Sequence, residues 1–368
     1  MNRLIKYIQY SCLGLALVLT SCIRDGLDEC PPVEPSKYSS YIKFIYDYNM
    51  AFEDLFHRQV SKYDLYLFDE NDVFVHRMVE TCPAGSTFPR GYTVGILKEF
   101  KHATQFVVFA GVDETQENLP TMTAGVSKLN DLYLKLNDRE NNIIDTNIPS
   151  LWHGKITNMR SRANNVTPAA EVLPNDTTVI SLTKNTNTFR IVLQTLVDTI
   201  KVDAKDFEFN LSSVNGSYDA YNNPIDAIKW NYKPYVLENF GNEGAVAELN
   251  TLRLMSDREN RLTIRHKISD KDIVDINLNK YLSALKLAKY SKMSFDEYLD
   301  RECEYNIIIF LSPVDCPDCP ANPECPTCPE CPVDPECPEC PVCPVTKAWV
   351  ATQIQINQWV EREQGGDL

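Results

Sequence analysis

Short runs in which apolar and polar residues alternate recur along this chain, and they restrict it to a mainly β fold. In Tyr41–Tyr48, Ile42, Phe44, Tyr46 and Tyr48 alternate with Lys43 and Asp47, the period of a strand with one wet face. Val60–Phe68 (VSKYDLYLF) and Val73–Val79 (VFVHRMV) flank Asp69-Glu70-Asn71-Asp72, turn chemistry that predicts a β-hairpin. Gln105–Val112 (QFVVFAGV) is nearly all apolar, as a central strand buried on both faces must be. Asp131–Leu136 sets Leu132, Leu134 and Leu136 on one face, and Leu151-Trp152-His153-Gly154 opens a further strand.

The pattern lapses between Asn164 and Asp176, where Asn164, Asn165, Pro168, Pro174 and Asn175 break it. Beyond it, Thr177–Leu182 and Phe189–Val197 flank a polar Lys184–Thr188 and predict a second hairpin. Phe207, Phe209 and Leu211 alternate ahead of an Asn215-Gly216 turn. Ala247–Met255 and Leu262–Ile268, around Ser256–Arg261, predict a third hairpin. The spacing turns helical near Leu282–Tyr290, and Ser294-Phe295-Asp296-Glu297 has the form of a capping box for a short helix through Arg301. Tyr305–Leu311 (YNIIIFL) reads as a buried strand and Val350–Val360 as the last one. With 368 residues there is room for two domains. Many short strands and few helices predict tandem β-sandwiches, at 37–172 and 175–368, the second interrupted at 313–344.

The first residues carry an address. Arg3 and Lys6 precede an apolar run, Leu13 to Leu19, too short for a permanent membrane span but suited to a signal peptide over residues 1–21. Leu19-Thr20-Ser21-Cys22 is a lipobox, so Cys22 is the expected site of lipidation; an ordinary secretory signal ending near a cysteine is the alternative. Several acyl chains on that cysteine give stable anchoring. Residues 22–36 then form an acidic, proline-stiffened tether through Asp25, Asp28, Glu29, Pro31, Pro32 and Pro35. The net charge is −15, and residues 1–21 hold two bases and no acid, so the remainder carries −17. Such a surface repels phosphate and argues against nucleic acid as a partner. Export also places the later cysteines where disulfides persist.

Eight of those cysteines lie in one arm: Cys316, Cys319, Cys325, Cys328, Cys331, Cys337, Cys340 and Cys343, each followed by proline, in a twelve-residue repeat. Proline drives the preceding residue to extended or polyproline II geometry. Three states fit the spacing: disulfides, a metal site, or free and intermolecular thiols. The exported compartment, the repeat and the lack of a histidine favour disulfides over zinc. Cys30 with Cys82 is a further candidate pair, and Cys303 is read as paired or buried.

No catalytic constellation is legible. There is no G-x-S-x-G, P-loop, G-x-G-x-x-G or H-E-x-x-H, so neither enzymatic activity nor a cofactor is expected. His57, His76, His102, His153 and His266 are scattered, and His76 and His266 read as surface or satisfied residues. Asp138-Arg139-Glu140-Asn141 and Asp257-Arg258-Glu259-Asn260 repeat a tetrapeptide without the oxygen spacing of a calcium loop, so acidic turns are the expected reading. Trp152, Trp230, Trp349 and Trp359 are read as core residues.

These pieces, in order, resemble the FimB-type (Mfa-type) fimbrial anchor family of the Bacteroidales, part of the type V pilus group. The resemblance is carried by the lipobox with Asp28-Glu29-Cys30-Pro31, Ile42–Asn49 (IKFIYDYN), Tyr63–Asp69 (YDLYLFD), Leu151-Trp152-His153-Gly154, Thr251–Met255 (TLRLM), Glu297–Glu302 (EYLDRE) and Ile354–Val360 (IQINQWV). The acids after Cys22 also resemble the surface-export signal of lipoproteins in that order of bacteria. The cysteine–proline arm departs from the family pattern. The resemblance implies transthyretin-like sandwiches and a surface-exposed lipoprotein of the cell outer membrane. Its partners would be a fimbrial stalk subunit and, through the pilus, host or bacterial surface ligands. It also implies strand exchange between subunits, a form of β-augmentation. Ala348–Val360 could then be offered to the stalk, or fold back as the last strand of its own domain; the resemblance favours folding back. A surface adhesin or glycan-binding lipoprotein outside any pilus is the alternative function.

Overall fold

A computed structural model describes residues 37–157, 177–195, 201–241, 244–314 and 348–356. Its early elements are β1 (Tyr38–Ile45), α1 (Phe56–Gln59), β2 (Lys62–Phe68), β3 (Phe74–Thr81), β4 (Thr93–Leu97), β5 (Gln105–Ala110), β6 (Glu117–Asn118), β7 (Tyr133–Leu136), β8 (Ile143–Ile144), β9 (Trp152–Thr157), β10 (Thr177–Ser181) and β11 (Thr183–Lys184). There follow β12 (Thr186–Thr195), β13 (Phe207–Ser213), β14 (Ser217–Asp219), β15 (Trp230–Tyr232), β16 (Val236–Phe240), β17 (Gly244–Leu252), β18 (Arg261–His266), β19 (Lys271–Asn277), α2 (Leu278–Lys289), α3 (Phe295–Arg301), β20 (Glu304–Val314) and β21 (Ala348–Ile356). The molecule is mainly β, as the alternation predicts.

In the first half a sheet ordered β11-β9-β5-β2-β3 faces a smaller one ordered β10-β1-β4. The β2–β3 hairpin closes as expected. The Asp69 carboxylate accepts the Asn71 and Val73 amides, and Asp72 takes the left-handed backbone that finishes the turn. Strand β5 is buried on both faces. Phe106, Val108 and Ala110 join Ile42 and Phe44 of β1 in one hydrophobic cluster, while Val107 and Phe109 join Tyr66 and Phe68 in another. Each of the Val, Ile and Phe side chains contributes about 1.5–3 kcal/mol of burial.

In the second half a sheet ordered β16-β17-β12-β20-β21 faces one ordered β19-β18-β13-β15-β8. Phe189, Ile191 and Leu193 of β12 and Ile307 and Ile309 of β20 meet Phe207, Phe209 and Leu211 of β13 in the larger cluster. Helix α3 starts where the capping box places it, with the Ser294 hydroxyl accepting the Glu297 amide at 3.0 Å.

Two expected hairpins do not form. Thr177–Ser181 does not turn back on Phe189–Val197; it runs parallel to β1, with Tyr41 opposite Thr177 and Ile45 opposite Ser181. The strands from Ala247–Met255 and Leu262–Ile268 sit in opposite sheets, β17 beside β12 and β18 beside β13. The link between them is drawn inward by Asn260, fully buried, whose amide donates to the Met255 carbonyl. Alternation identifies a strand and its buried face but not its neighbour. The breaker stretch 164–176 lies outside the described residues; by pairing, β10 and β11 sit with the first half, and the chain enters the second at Asn185. The halves also share ladders: β8 pairs with β15, and β7 with β14.

Candidate functional site: the seam and the terminal hairpin

The sequence motifs that stood apart along the chain meet at the seam between the halves. His153, on β9, is buried, and its Nε2 donates to the Ala220 carbonyl at 3.1 Å. Burial pushes its imidazole down to about 4, so at neutral pH it is an uncharged donor. Beside it, the amides of Asn185 and Asn222 bond reciprocally at 2.6 and 3.0 Å. Asn185 also donates its backbone N–H to the Leu151 carbonyl at 2.7 Å. Gly154, which ends the same motif, permits close packing. A Cβ there would lie 2.7 Å from Ile180 Cγ2 and Leu182 Cδ2.

Two arginines stand at the junction: Arg253 braces Asn222 from within the second half, and Arg301 crosses to the first. Arg253 donates through Nη2 to the Asn222 carbonyl at 2.7 Å and through Nη1 to Asp300 Oδ1 at 2.9 Å. Arg301, at the end of α3, is 14% exposed. Its Nε is held by Glu297 Oε1 at 2.8 Å, and its Nη1 reaches the Asn49 and Asp47 carbonyls at 3.3 and 3.4 Å. Its guanidinium lies 4.1 Å from the centre of the Tyr48 ring and 4.8 Å from that of Phe52. The loop it grips is shaped by Asn49, whose Nδ2 donates to the Tyr46 and Glu53 carbonyls at 2.8 and 2.9 Å. Charge-assisted bonds of this kind contribute about 1.5–3 kcal/mol each, and a partly desolvated cation–π contact about 0.5–2. Burial raises the Asp300 carboxyl and lifts that of Glu302 to about 7. The Cys303 thiol is likewise pushed up by burial, which makes it a poor thiolate. What this arrangement does is fasten two halves together.

The second feature is the terminal hairpin. β21 runs antiparallel to β20, from Ile356 opposite Ile307 to Ala348 opposite Val314. Trp349 and Ile356 turn into the core, while Val350 faces out. Ala348–Ile356 is therefore the last strand of its own sheet, as the folding-back reading expects; residues 357–360 lie outside the described residues. No strand among the described residues pairs with the outer edge of β21.

Of the residues expected to carry function, Cys22, Cys30 and the eight arm cysteines lie outside the described residues. Cys82, just after β3, is half-buried, and neither it nor Cys303 is in a disulfide. His76 stacks on Phe100 with ring centres 4.3 Å apart, and His266 is buried with its Nδ1 2.8 Å from the Ser269 hydroxyl, so both are satisfied as expected. Trp152, Trp230 and Trp349 are core residues, and Trp359 lies outside the described residues. Among the described residues no three His, Cys, Asp or Glu side chains gather as a metal site. Sequence reading missed the Asn185–Asn222 pair; nothing in either sequence neighbourhood marks it.

The model of a family described as fimbrillin-A associated anchor proteins Mfa1 and Mfa2 matches residues 27–365. Among solved structures the chain is similar to a candidate polysaccharide-binding protein from Bacteroides thetaiotaomicron. That protein is 32% identical with a TM-score of 0.61, and the match covers 74% of this chain and 91% of that one. A candidate adhesin from the same species is 28% identical with a TM-score of 0.62, over 76% of this chain and 93% of that one. The fimbrial anchor protein Mfa2 from Porphyromonas gingivalis shares the fold, with a TM-score of 0.60 over 87% of this chain and 97% of that one at 18% identity. No curated protein matches.

Proposed function

The chain belongs to the fimbrillin-A associated anchor family, and on that premise we propose that it holds a fimbria at the surface of the outer membrane. The observation that carries this reading is the extent of the family match, residues 27–365, which spans both halves and the seam. Lipidated Cys22 supplies the hold on the membrane, since several acyl chains anchor stably where one does not. The folded part contacts a stalk subunit through a strand, and the outer edge of β21, unpaired among the described residues, is the kind of edge that β-augmentation uses. The seam suits the task, because a buried, charge-assisted junction passes tension without letting the halves swing. The arm cysteines pair as disulfides in the exported compartment. The role is one of binding, without catalysis or a cofactor.

The test is fractionation of cells that carry Cys22→Ala, with export confirmed. The variant is expected to leave the outer-membrane fraction while still co-isolating with the stalk subunit. A variant that stays in the membrane fraction contradicts the lipid hold. Failure of the unaltered protein to co-isolate with any stalk subunit contradicts the anchoring role.

A further inference from the structure

We propose that strands β1 and β10 form a shear clamp, which carries tension from the N-terminal tether into the second half of the chain. The inference rests on the anchoring role above, because it presumes a load between the tether and the second half. β1 begins one residue after Lys37, directly beyond the tether, and sits between β10 and β4. Its pairing with β10 is parallel and holds register over five residue pairs, Tyr41 with Thr177 to Ile45 with Ser181. The Leu182 amide extends the pairing by donating to the Ile45 carbonyl at 2.8 Å. The chain then passes through β11 and enters β12, a strand flanked on both sides by β17 and β20.

The direction of pull follows from this path. Tension enters at the N-terminal end of β1 and leaves at the C-terminal end of β10. In a parallel pair those ends are opposite. The load therefore runs along the strands and across their hydrogen bonds, and the bonds in register share it. The terminal hairpin is the opposite case. A pull on the C-terminal end of β21 acts at the end where Ile356 meets Ile307, so its bonds open one after another.

Packing resists slippage in the clamp. Ile42, Phe44 and Ile180 are buried in one cluster, and the Phe44 ring lies 5.1 Å from that of Tyr63 and 5.7 Å from that of Phe56. A one-residue slip would turn the buried set to the outside. Past the ladder, the Ser181 hydroxyl donates to Asp47 Oδ1 at 2.8 Å.

The clamp can be tested on the chain from residue 23 onward, pulled as a single molecule between its N-terminus and a handle at Leu287, an exposed position on α2. Tyr41 and Thr177 are half-buried partners in register. The double variant Tyr41→His with Thr177→His therefore places two imidazoles across the pair, where Ni²⁺ can bridge them. Ni²⁺ is expected to raise the rupture force of this variant and of no other, with reversal on chelation. In the same variant, pulling from the C-terminal tail instead should give a low force that Ni²⁺ does not change. A raised Tm with Ni²⁺ but an unchanged rupture force would overturn the clamp. No rise in Tm would contradict the parallel register and sink the proposal with it. Fimbriae play no part in this experiment, so the clamp can fail while the anchoring role stands.

Discussion

The two terminal strands of the described chain, β1 and β21, are held in different ways. β1 has a strand on each side, with Ile42 and Phe44 fully buried beneath it. Among the described residues β21 has one neighbour and lies at the edge of its sheet, and it leaves Val350 half exposed. The proposed anchoring role asks for both, an end tied down and an edge left unpaired among the described residues. The difference lies in topology, since β1 is hydrogen-bonded on both sides and β21, among the described residues, on one.

Core truncation should expose the contrast most strongly. Phe44→Ala, on β1, is expected to cost about 3–5 kcal/mol, the range for a buried aromatic. Ile354→Ala, on β21, is half-buried and should cost about 1–2 kcal/mol, at or below the low end of the range for aliphatic truncation. Chemical denaturation of the two variants measures both, and equal costs would break the comparison. Next in size is the seam. Arg301→Ala removes the grip on the Asp47 and Asn49 carbonyls and should cost about 2 kcal/mol. Arg301→Lys should recover only part of it, because an ammonium cannot lie flat between the Tyr48 and Phe52 rings while bonding both carbonyls. Hydrogen exchange sharpens the comparison without any mutation: amides of β1 should exchange more slowly than those of β21, whose outer edge is unpaired among the described residues.

A further test comes from pH. The Glu302 and Glu117 carboxyls are each raised by burial to about 7 from an ordinary 4.5. Between these values the folded state holds protons that the unfolded state has released, so stability falls as pH rises from about 4.5 to above 7. His153 has the opposite sign: lowered to about 4 from 6.5, it disfavours the folded state as pH drops below 6.5. Tm should therefore decline between pH 6 and 8, and Glu302→Gln should reduce that decline. A Tm that climbs over this range would contradict the burial of both carboxyls.

How much of this was legible depended on distance along the chain. Periodicity located β1, the β2–β3 hairpin, the two-sided burial of β5 and the start of α3, because each is written in neighbouring residues. It failed for β10 and for the β17–β18 crossing, where the partner is chosen by the packing of whole sheets. The seam was half legible. Its motifs were visible as separate words, but Arg301 meets Asn49 across 252 positions, and no local pattern announces such a contact. The Asn185–Asn222 pair left no trace at all, since buried amides are recognised only by the partners that satisfy them.

The most direct measurement is a count of fimbriae on cells and in the medium, for the unaltered protein and for Cys22→Ala with export confirmed. Movement of fimbriae from the cells into the medium is the result this account predicts. An unchanged distribution between cells and medium would contradict it, and would leave adhesin or glycan binding as the function to pursue.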